Sequence, residues 1–232
     1  MHPISDIEVV YDSTVTLVQA NASDDMVAMA AWVSNGLDTE DRLQDKSKVK
    51  GLINFLYKNR HNSPFEHGQF TFKIDTPIFV AREFMRHRTF SFNEISGRYT
   101  TLSARFYIPA VTRPLVQSGK IGSYQFVPGD SSQTMMTQNT IHDSSQSAWN
   151  EYVALKDAGI ANEVARMVLP VNIMTQFYAT VNPRNLMHFL DLRTDPQALH
   201  EIRAVADQME GFLEKQMPLT YSAYSSNRTV GN

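Results

Sequence analysis

The basic residues most suited to anion binding are concentrated in one stretch, residues 82–105. This stretch holds five arginines and His87 but only two carboxylates, Glu83 and Glu94. From residue 74 to residue 119 every basic side chain other than His87 is an arginine, and the lysines lie outside. A planar guanidinium binds phosphate at two points, whereas a lysine ammonium acts as a hydrated point charge. The stretch therefore predicts a site for an anionic ligand.

The spacing within this stretch favours a nucleotide over inorganic phosphate. Arg86 and Arg98 are separated so that they could contact an anion from two sides. Gly97 can take a positive φ angle and has no Cβ to block a ligand, so backbone amides of Ser96-Gly97 could approach the ligand closely. Glu94 is unsuited to a bare phosphate, but it suits the uracil edge or the ribose hydroxyls of a nucleotide. An arginine-rich interface between subunits is the alternative explanation.

The composition excludes several classes of chemistry. The chain has 232 residues and no cysteine, which excludes disulfides, thiolate metal sites and cysteine nucleophiles. Its 21 Lys and Arg against 24 Asp and Glu give a net charge of −3, without the basic excess of a general nucleic-acid binder. The residues 1–6 do not resemble a signal peptide, and no apolar run reaches the ~18 residues of a membrane span. We therefore expect a cytoplasmic protein, in a host cytoplasm if the source is a virus.

The elements that must position these residues alternate between strands and helices. In the first half we expect a strand over 7–16, a helix from Ser23 through Trp32, a helix over 46–58, a strand from Phe70 to Asp75, and a helix capped by Thr76-Pro77 that ends near Arg86. In the second half we expect a long surface excursion over 109–130, a helix ending at Ala158-Gly159, a short helix over 162–169, a strand over 173–181, a helix opened by Asn182-Pro183, and a last helix over 196–216 before a polar tail.

The string from Arg86 to Tyr99, RHRTFSFNEISGRY, resembles the signature of the flavin-dependent thymidylate synthases. That signature is written R-H-R, seven residues and Ser, and Ser96 takes the last place. Three further stretches agree in the same order, residues 61–67, 163–170 and 182–193. Because the similarity covers about 60–107 and 159–202, it is far more specific than an isolated R-H-R.

The resemblance implies an α+β fold with a central, mostly antiparallel sheet packed with helices. It implies one domain over residues 1–232 and a homotetramer with active sites at the subunit interfaces. The implied reaction converts dUMP to dTMP, with FAD as cofactor, 5,10-methylenetetrahydrofolate as carbon donor and NADPH as reductant. The other class of thymidylate synthase requires a cysteine nucleophile, which this chain lacks. We expect no nucleic-acid partner and no membrane partner.

The resemblance also assigns roles to individual residues. The implied FAD contacts are Ser63, Arg86, His87, Arg88, Glu94, Asn182, Arg184 and His188. The implied dUMP contacts are Glu83, Arg86, Glu94, Ile95, Ser96, Gly97, Arg98, Arg166 and Arg193. The resemblance implies that Arg193 is the principal catalytic residue, since it matches the arginine that favours ionisation at the pyrimidine N3, where a guanidinium can stabilise the developing anion. His61 matches a histidine near the folate and the flavin ring.

Glu83 departs from the family pattern, since a glutamine is usual at this place. An ionised carboxylate there would weaken the binding of a dianionic nucleotide unless Arg82 or Arg86 neutralises it. His61, Glu66 and His67 lack the spacing of a standard metal site, so we predict no metal.

Two hypotheses of other classes stay open at this point. In the first, residues 86–105 bind RNA or single-stranded DNA, with five aromatic rings as stacking platforms: Phe90, Phe92, Tyr99, Phe106 and Tyr107. In the second, the chain is a structural oligomer whose arginines pair with carboxylates of neighbouring subunits and whose enzyme activity has decayed.

Overall fold

The computed structural model describes residues 6–36, 40–120 and 123–228. The strands are β1 Glu8–Val10, β2 Thr14–Ala20, β3 Phe70–Pro77, β4 Ser91–Glu94, β5 Arg105–Tyr107, β6 Val116–Lys120, β7 Ser123–Val127 and β8 Met174–Val181. The helices are α1 Asp24–Trp32, α2 Glu40–Leu43, α3 Lys46–Lys58, α4 Ile78–Phe84, α5 Ser131–Asp157, α6 Asn162–Ala165, α7 Pro183–Arg193, α8 His200–Gln216 and α9 Pro218–Asn227. Short 3₁₀ turns cover Val33–Asn35, Ser63–Glu66 and Arg166–Val168.

The main sheet has four strands in the order β2-β3-β8-β4. Strands β3 and β8 run antiparallel, because Thr71 bonds Thr180 while Asp75 bonds Gln176 further along. Strands β1 and β5 form a separate parallel pair, and β6 and β7 form an antiparallel hairpin. The α+β class and the antiparallel sheet are thus confirmed.

Strand β3 shows why the alternating sequence pattern is informative. Phe70, Phe72 and Ile74 are fully buried, whereas the residues between them are only partly covered. Alternate side chains of a strand lie on opposite faces, so one face of β3 packs into the core. The helix that follows begins differently from the prediction. Pro77 occupies the N-cap position, and the Thr76 hydroxyl instead bonds the Ser13 hydroxyl at 2.7 Å.

The chain divides into two compact units. Unit 1 comprises the described residues of 1–14, 75–86 and 93–177, and unit 2 comprises those of 15–74, 87–92 and 178–232. The core of unit 1 is formed by Ile7, Phe106, Trp149, Tyr152, Ala165 and Ile173. In unit 2, α9 packs on α3 and α8, and α7 packs on α8. The single domain over 1–232 stays a prediction.

The C-terminal segment is a helix and not the predicted polar tail. Helix α9 buries Thr220, Ala223 and Tyr224, and Asp24 of α1 caps its first turn. One oxygen of Asp24 accepts from the Leu219 amide at 2.9 Å, and the other accepts from the amide and hydroxyl of Thr220 at 2.8 and 2.7 Å. A carboxylate at the start of a helix satisfies amides that lack intrahelical partners.

Two other predictions need correction or completion. The strand expected over 7–16 is two strands, β1 and β2, because residues 11–13 interrupt it. The excursion over 109–130 contains the β6–β7 hairpin, in which Val116 is opposite Val127 and Gln117 is opposite Phe126.

The signal-peptide prediction concerns residues 1–6, of which the structure describes only residue 6. In the described ranges, no helix is both long and apolar enough to span a membrane.

Candidate functional site

In unit 2, the predicted catalytic residue Arg193 is hydrogen-bonded to His87. The Nε of Arg193 donates to Nε2 of His87 at 2.8 Å. Arg193 is the last residue of α7, and His87 lies after α4, where Phe189 and Phe90 contact its ring edge to face at 4.8 and 6.4 Å. Aromatic packing and the hydrogen bond together fix the plane of the imidazole.

The environment of His87 favours its neutral form. Burial, followed by the nearby charges of Arg193 and His188, lowers the pKa of His87 from 6.5 to about 4. A neutral imidazole has one nitrogen with a free lone pair, and only such a nitrogen accepts a hydrogen bond. The contact with Arg193 therefore assigns the remaining ring proton to Nδ1 of His87.

Unit 2 also contains a cavity of about 580 Å³. It is lined by Tyr57, Lys58, Arg60, Asn62, Arg184, Asn185, Met187, His188, Asp191 and Asn227. Two predicted FAD contacts, Arg184 and His188, are in this lining, one turn apart on α7. Lys58 and Arg60 add positive charge, so the donor set suits a phosphate-bearing ligand. Arg184 also forms an ion pair with Glu66.

The other predicted FAD contacts of unit 2 lie outside that lining. Asn182 is the N-cap of α7, where its side-chain oxygen accepts from the Asn185 amide at 2.9 Å. His61 is exposed and stacks on Phe55 with the ring centroids 5.8 Å apart. Ser63 and Arg88 are exposed to solvent.

In unit 1, residues 94–98 form a compact turn after β4. The amides of Tyr99 and Thr100 both bond the Ser96 carbonyl at 3.1 Å, and the Ser96 hydroxyl accepts from the Arg98 amide at 3.3 Å. Gly97 does not adopt the positive φ that a glycine can take. Its lack of a side chain serves packing, because a Cβ there would lie 3.0 Å from Leu102 Cδ1.

Glu94 and Ile95 are tied to strand β8. The Thr175 hydroxyl donates to Glu94 Oε1 at 2.6 Å, and the Ile95 amide donates to the Gln176 carbonyl at 2.9 Å. Thr175 is buried and Glu94 is exposed. Thr175 therefore binds one oxygen of the Glu94 carboxylate, and the exposed carboxylate can still accept further hydrogen bonds from the solvent side.

Arg98 is paired with Glu163, a residue to which the sequence analysis gave no role. The Nε of Arg98 lies 2.6 Å from Glu163 Oε2, and the side chains are 57% and 49% exposed. An exposed ion pair contributes little to stability, so an incoming anion could replace Glu163 at low cost. Arg166 is exposed one turn beyond Glu163, and Arg86 is exposed after the end of α4. The half-buried Glu83 lies near that end of α4.

Sequence reasoning missed Glu163, Thr175, Lys58 and Arg60. Glu163 belongs to the matching stretch 163–170, which was the one available signal for it. Arg60, which lines the cavity, has a left-handed backbone with a φ of 57°. Arginine rarely adopts this conformation, so its residue type does not predict it.

The structure removes three of the five stacking rings of the nucleic-acid hypothesis. Phe90, Phe106 and Tyr107 are buried and cannot stack on bases, whereas Tyr99 is exposed. Arg105 is engaged as well, because it pairs with Asp75 at 2.8 Å and with Glu8 at 3.2 Å. Across the described ranges, no three His, Asp or Glu side chains cluster closely enough to bind a metal ion.

The cavity of unit 2 and the turn of unit 1 each carry the donor groups that suit an anionic ligand. Residues 16–219 match the family described as thymidylate synthase complementing protein. The chain is 47% identical to the flavin-dependent thymidylate synthase of Streptomyces avermitilis over 94% of this chain and 93% of that protein. The identity is 44% with the enzyme of the same name from Tropheryma whipplei strain TW08/27, over 94% of both chains.

Two solved structures are similar along nearly the whole chain. Both are of PolB from Streptomyces cacaoi, a UMP/dUMP methylase. The structure with 5-Br dUMP has a TM-score of 0.90 at 45% identity and covers 96% of this chain and 98% of PolB. The structure with 5-Br UMP has a TM-score of 0.89 at 42% identity, over 97% and 99%. This chain belongs to the family of flavin-dependent thymidylate synthases, and it is an enzyme of the methyltransferase class.

Proposed function

We propose that this enzyme converts dUMP to dTMP, with FAD as its flavin. The one-carbon unit of 5,10-methylenetetrahydrofolate becomes the C5 methyl group, and NADPH supplies the two electrons, so that tetrahydrofolate and NADP⁺ are released. The observation that carries the proposal is the family membership over residues 16–219, with the whole R-H-R to Ser96 signature intact.

The nucleotide is bound by residues that lie mostly in unit 1. Arg86, Arg98 and Arg166 are exposed cations, and they supply paired donors for the phosphate. The turn that contains Ser96 and Gly97 contributes backbone and hydroxyl groups, and Ile95 belongs to the same segment. Glu94, held by Thr175, accepts hydrogen bonds from the base or ribose.

The flavin is bound by residues that lie mostly in unit 2. The cavity with Arg184 and His188 fits an anionic dinucleotide, because guanidinium and amide donors there outnumber the single carboxylate of Asp191. His87, Arg88, Ser63 and Asn182 are the other residues of unit 2 in the proposed set. The family resemblance also assigns Arg86 and Glu94 to the flavin. When bound, FAD supplies hydride and one-carbon transfer chemistry that no side chain of this protein possesses.

Arg193 stabilises negative charge on the pyrimidine during the reaction. The bond from its Nε to His87 at 2.8 Å orients the planar guanidinium, and a guanidinium suits an anion at N3. His61 is exposed and stacked on Phe55, which leaves its ring edge accessible to the folate.

We further propose a homotetramer that completes its active sites at subunit interfaces. Glu83 then lies close to a dianionic nucleotide and weakens the binding of dUMP unless Arg82 or Arg86 neutralises it. Several-fold tighter binding of dUMP by Glu83→Gln would show that the carboxylate is not neutralised, and unchanged binding would show that it is.

The test is the visible spectrum of the purified protein, followed by an anaerobic assay. A flavin band that is bleached by NADPH, faster with dUMP present, and dTMP formation on adding methylenetetrahydrofolate would support the proposal. A protein that stays colourless after FAD is added would overturn it and favour the hypothesis of a decayed structural oligomer. Size-exclusion chromatography with light scattering tests the tetramer.

UMP is the second substrate to test, because PolB, at 45% identity, is a UMP/dUMP methylase. Assays with UMP and with dUMP under the same conditions, followed by mass analysis of the nucleotide, show which of the two is methylated. If kcat/KM is higher for UMP, UMP takes the place of dUMP as the proposed substrate, and the proposed chemistry at C5 is unchanged.

A further inference from the structure

The last described residue of the chain, Arg228, is bound to the end of the helix that carries Arg193. Its Nη2 donates to the Leu190 carbonyl at 2.8 Å and also bonds the Thr194 hydroxyl. Its Nε lies 3.3 Å from Asp191 Oδ1. Three of the five residues from 190 to 194, the turn that contains Arg193, are therefore contacted by one guanidinium.

Arg228 is itself held firmly from the opposite side. Its Nη1 lies 3.2 Å from Glu210 Oε1 on α8, and its guanidinium lies over the Tyr224 ring at 5.2 Å. The side chain is only 14% exposed. A buried planar fork with carboxylate, carbonyl, hydroxyl and aromatic partners has few alternative orientations.

The Leu190 carbonyl collects an unusual number of donors. It accepts from the Thr194 amide at 3.0 Å and from the Thr194 hydroxyl at 2.8 Å, in addition to Arg228. Helix ends normally fray because their last carbonyls lack partners. The end of α7 is instead closed by a cation, which also suits the negative end of the helix dipole.

From these contacts we infer that Arg228 is a positioning residue for Arg193, which fixes the end of α7 so that the Arg193 side chain stays directed at His87. This inference rests on the proposed function, because Arg193 matters only if the reaction occurs. Arg228 is not a member of the residue sets proposed for FAD and dUMP, but its partner Asp191 lines the cavity of unit 2, so the test is made with saturating FAD.

The experiment compares Arg228→Ala with Thr220→Val in the full chain with saturating FAD. Thr220→Val removes one hydrogen bond to Asp24 at the other end of α9, so it serves as the control for lost stability. Both variants are expected to unfold at lower temperature. Only Arg228→Ala is expected to lower kcat, by about tenfold to a hundredfold, with KM for dUMP unchanged, because small misplacement of a catalytic group is costly.

Arg228→Lys keeps the charge and loses the fork, and it decides the question if Arg228→Ala does not fold. We expect an intermediate kcat for this variant. Wild-type kcat in a folded Arg228 variant would overturn the inference. So would a fall in kcat for Thr220→Val equal to that of Arg228→Ala, since the effect would then be general destabilisation.

A second readout does not depend on activity. NMR of ring-labelled histidine is expected to show the pKa of His87 rising in Arg228→Ala, because Arg193 no longer holds its charge beside the imidazole. An unchanged pKa would contradict the inference. If wild-type protein makes no dTMP, the proposed function fails, and this titration still tests whether Arg228 positions Arg193.

Discussion

Arg193 donates a hydrogen bond from Nε to Nε2 of His87, although the two residues are 106 positions apart in the chain. The direction of this bond is decisive for the site. Because the histidine accepts, its ring fixes the orientation of the Arg193 guanidinium at Nε. A histidine of the signature motif thus orients the residue proposed to stabilise charge on the pyrimidine.

Arg193→Ala is expected to fold and to retain FAD while kcat for dTMP formation falls by about 10² to 10³, the range for loss of one charge-stabilising donor. Single-turnover absorbance of the flavin and product analysis measure this loss. Arg42→Ala, on the surface beside Trp32, removes an arginine elsewhere and should leave turnover unchanged. Normal turnover in Arg193→Ala would refute the catalytic role.

The depressed pKa of His87 makes unfolding depend on pH. The folded value is about 4 and the ordinary value is 6.5, so the unfolded chain binds more protons between these limits. Stability is therefore complete above pH 6.5 and declines as the pH falls toward 4. Allowing for the partial exposure of His87, we expect the free energy of unfolding to fall by on the order of 1–2 kcal/mol.

Urea unfolding at pH 7 and pH 5 measures that loss, and His87→Gln is expected to reduce it. His142→Gln is the matched control, because His142 is exposed beside Asp143. Identical pH dependence in wild type and His87→Gln would mean that His87 is not the group responsible.

Arg98→Ala is expected to weaken dUMP binding by at least tenfold, since a charge-assisted hydrogen bond contributes about 1.5–3 kcal/mol. Glu163→Gln removes the carboxylate that Arg98 contacts at 2.6 Å and should leave binding unchanged or tighten it. Calorimetric titration of both variants with dUMP gives the two affinities. Weaker binding in Glu163→Gln would mean that the ion pair presents Arg98 to the nucleotide.

Asp24→Ala is expected to lower the free energy of unfolding by about 3 kcal/mol, because a buried carboxylate with three hydrogen bonds is lost. Asp25→Ala is the neighbouring control, since its exposed pair with Lys46 should contribute less than about 1 kcal/mol. Chemical denaturation measures both. Equal effects would show that Asp24 does not cap α9.

Local signals predicted local structure well. Lys46–Lys58 is a helix because its apolar residues recur at helical spacing, and Asn182 caps α7 through a contact three residues away. Helix α9 escaped prediction because it is rich in Ser and Thr and its cap, Asp24, is almost 200 residues away.

In the candidate site, too, the sequence predicted the identity of residues but not their contacts across the chain. The family motif identified His87, Arg98 and Arg193 by type and order, but no spacing indicated that His87 accepts from Arg193. Gly97 was singled out for an approach to a ligand, and the structure instead places the Leu102 side chain, five residues further on, where a Cβ would lie. Interactions across the chain depend on packing, which sequence periodicity does not encode.

The contact of Asp24 with residues 219 and 220 has a consequence for synthesis on the ribosome. Unit 2 is assembled from three separated segments, and its α1 helix awaits partners that lie 195 and 196 residues further along the chain. At about 5–20 residues per second, roughly 10–40 s separate the emergence of Asp24 from that of Thr220. Most of unit 1, in contrast, is one continuous run from residue 93 to residue 177. Nascent chains stalled before residue 219 should therefore expose α1 to proteolysis, and chains that have folded with residues 219 and 220 in place should protect it.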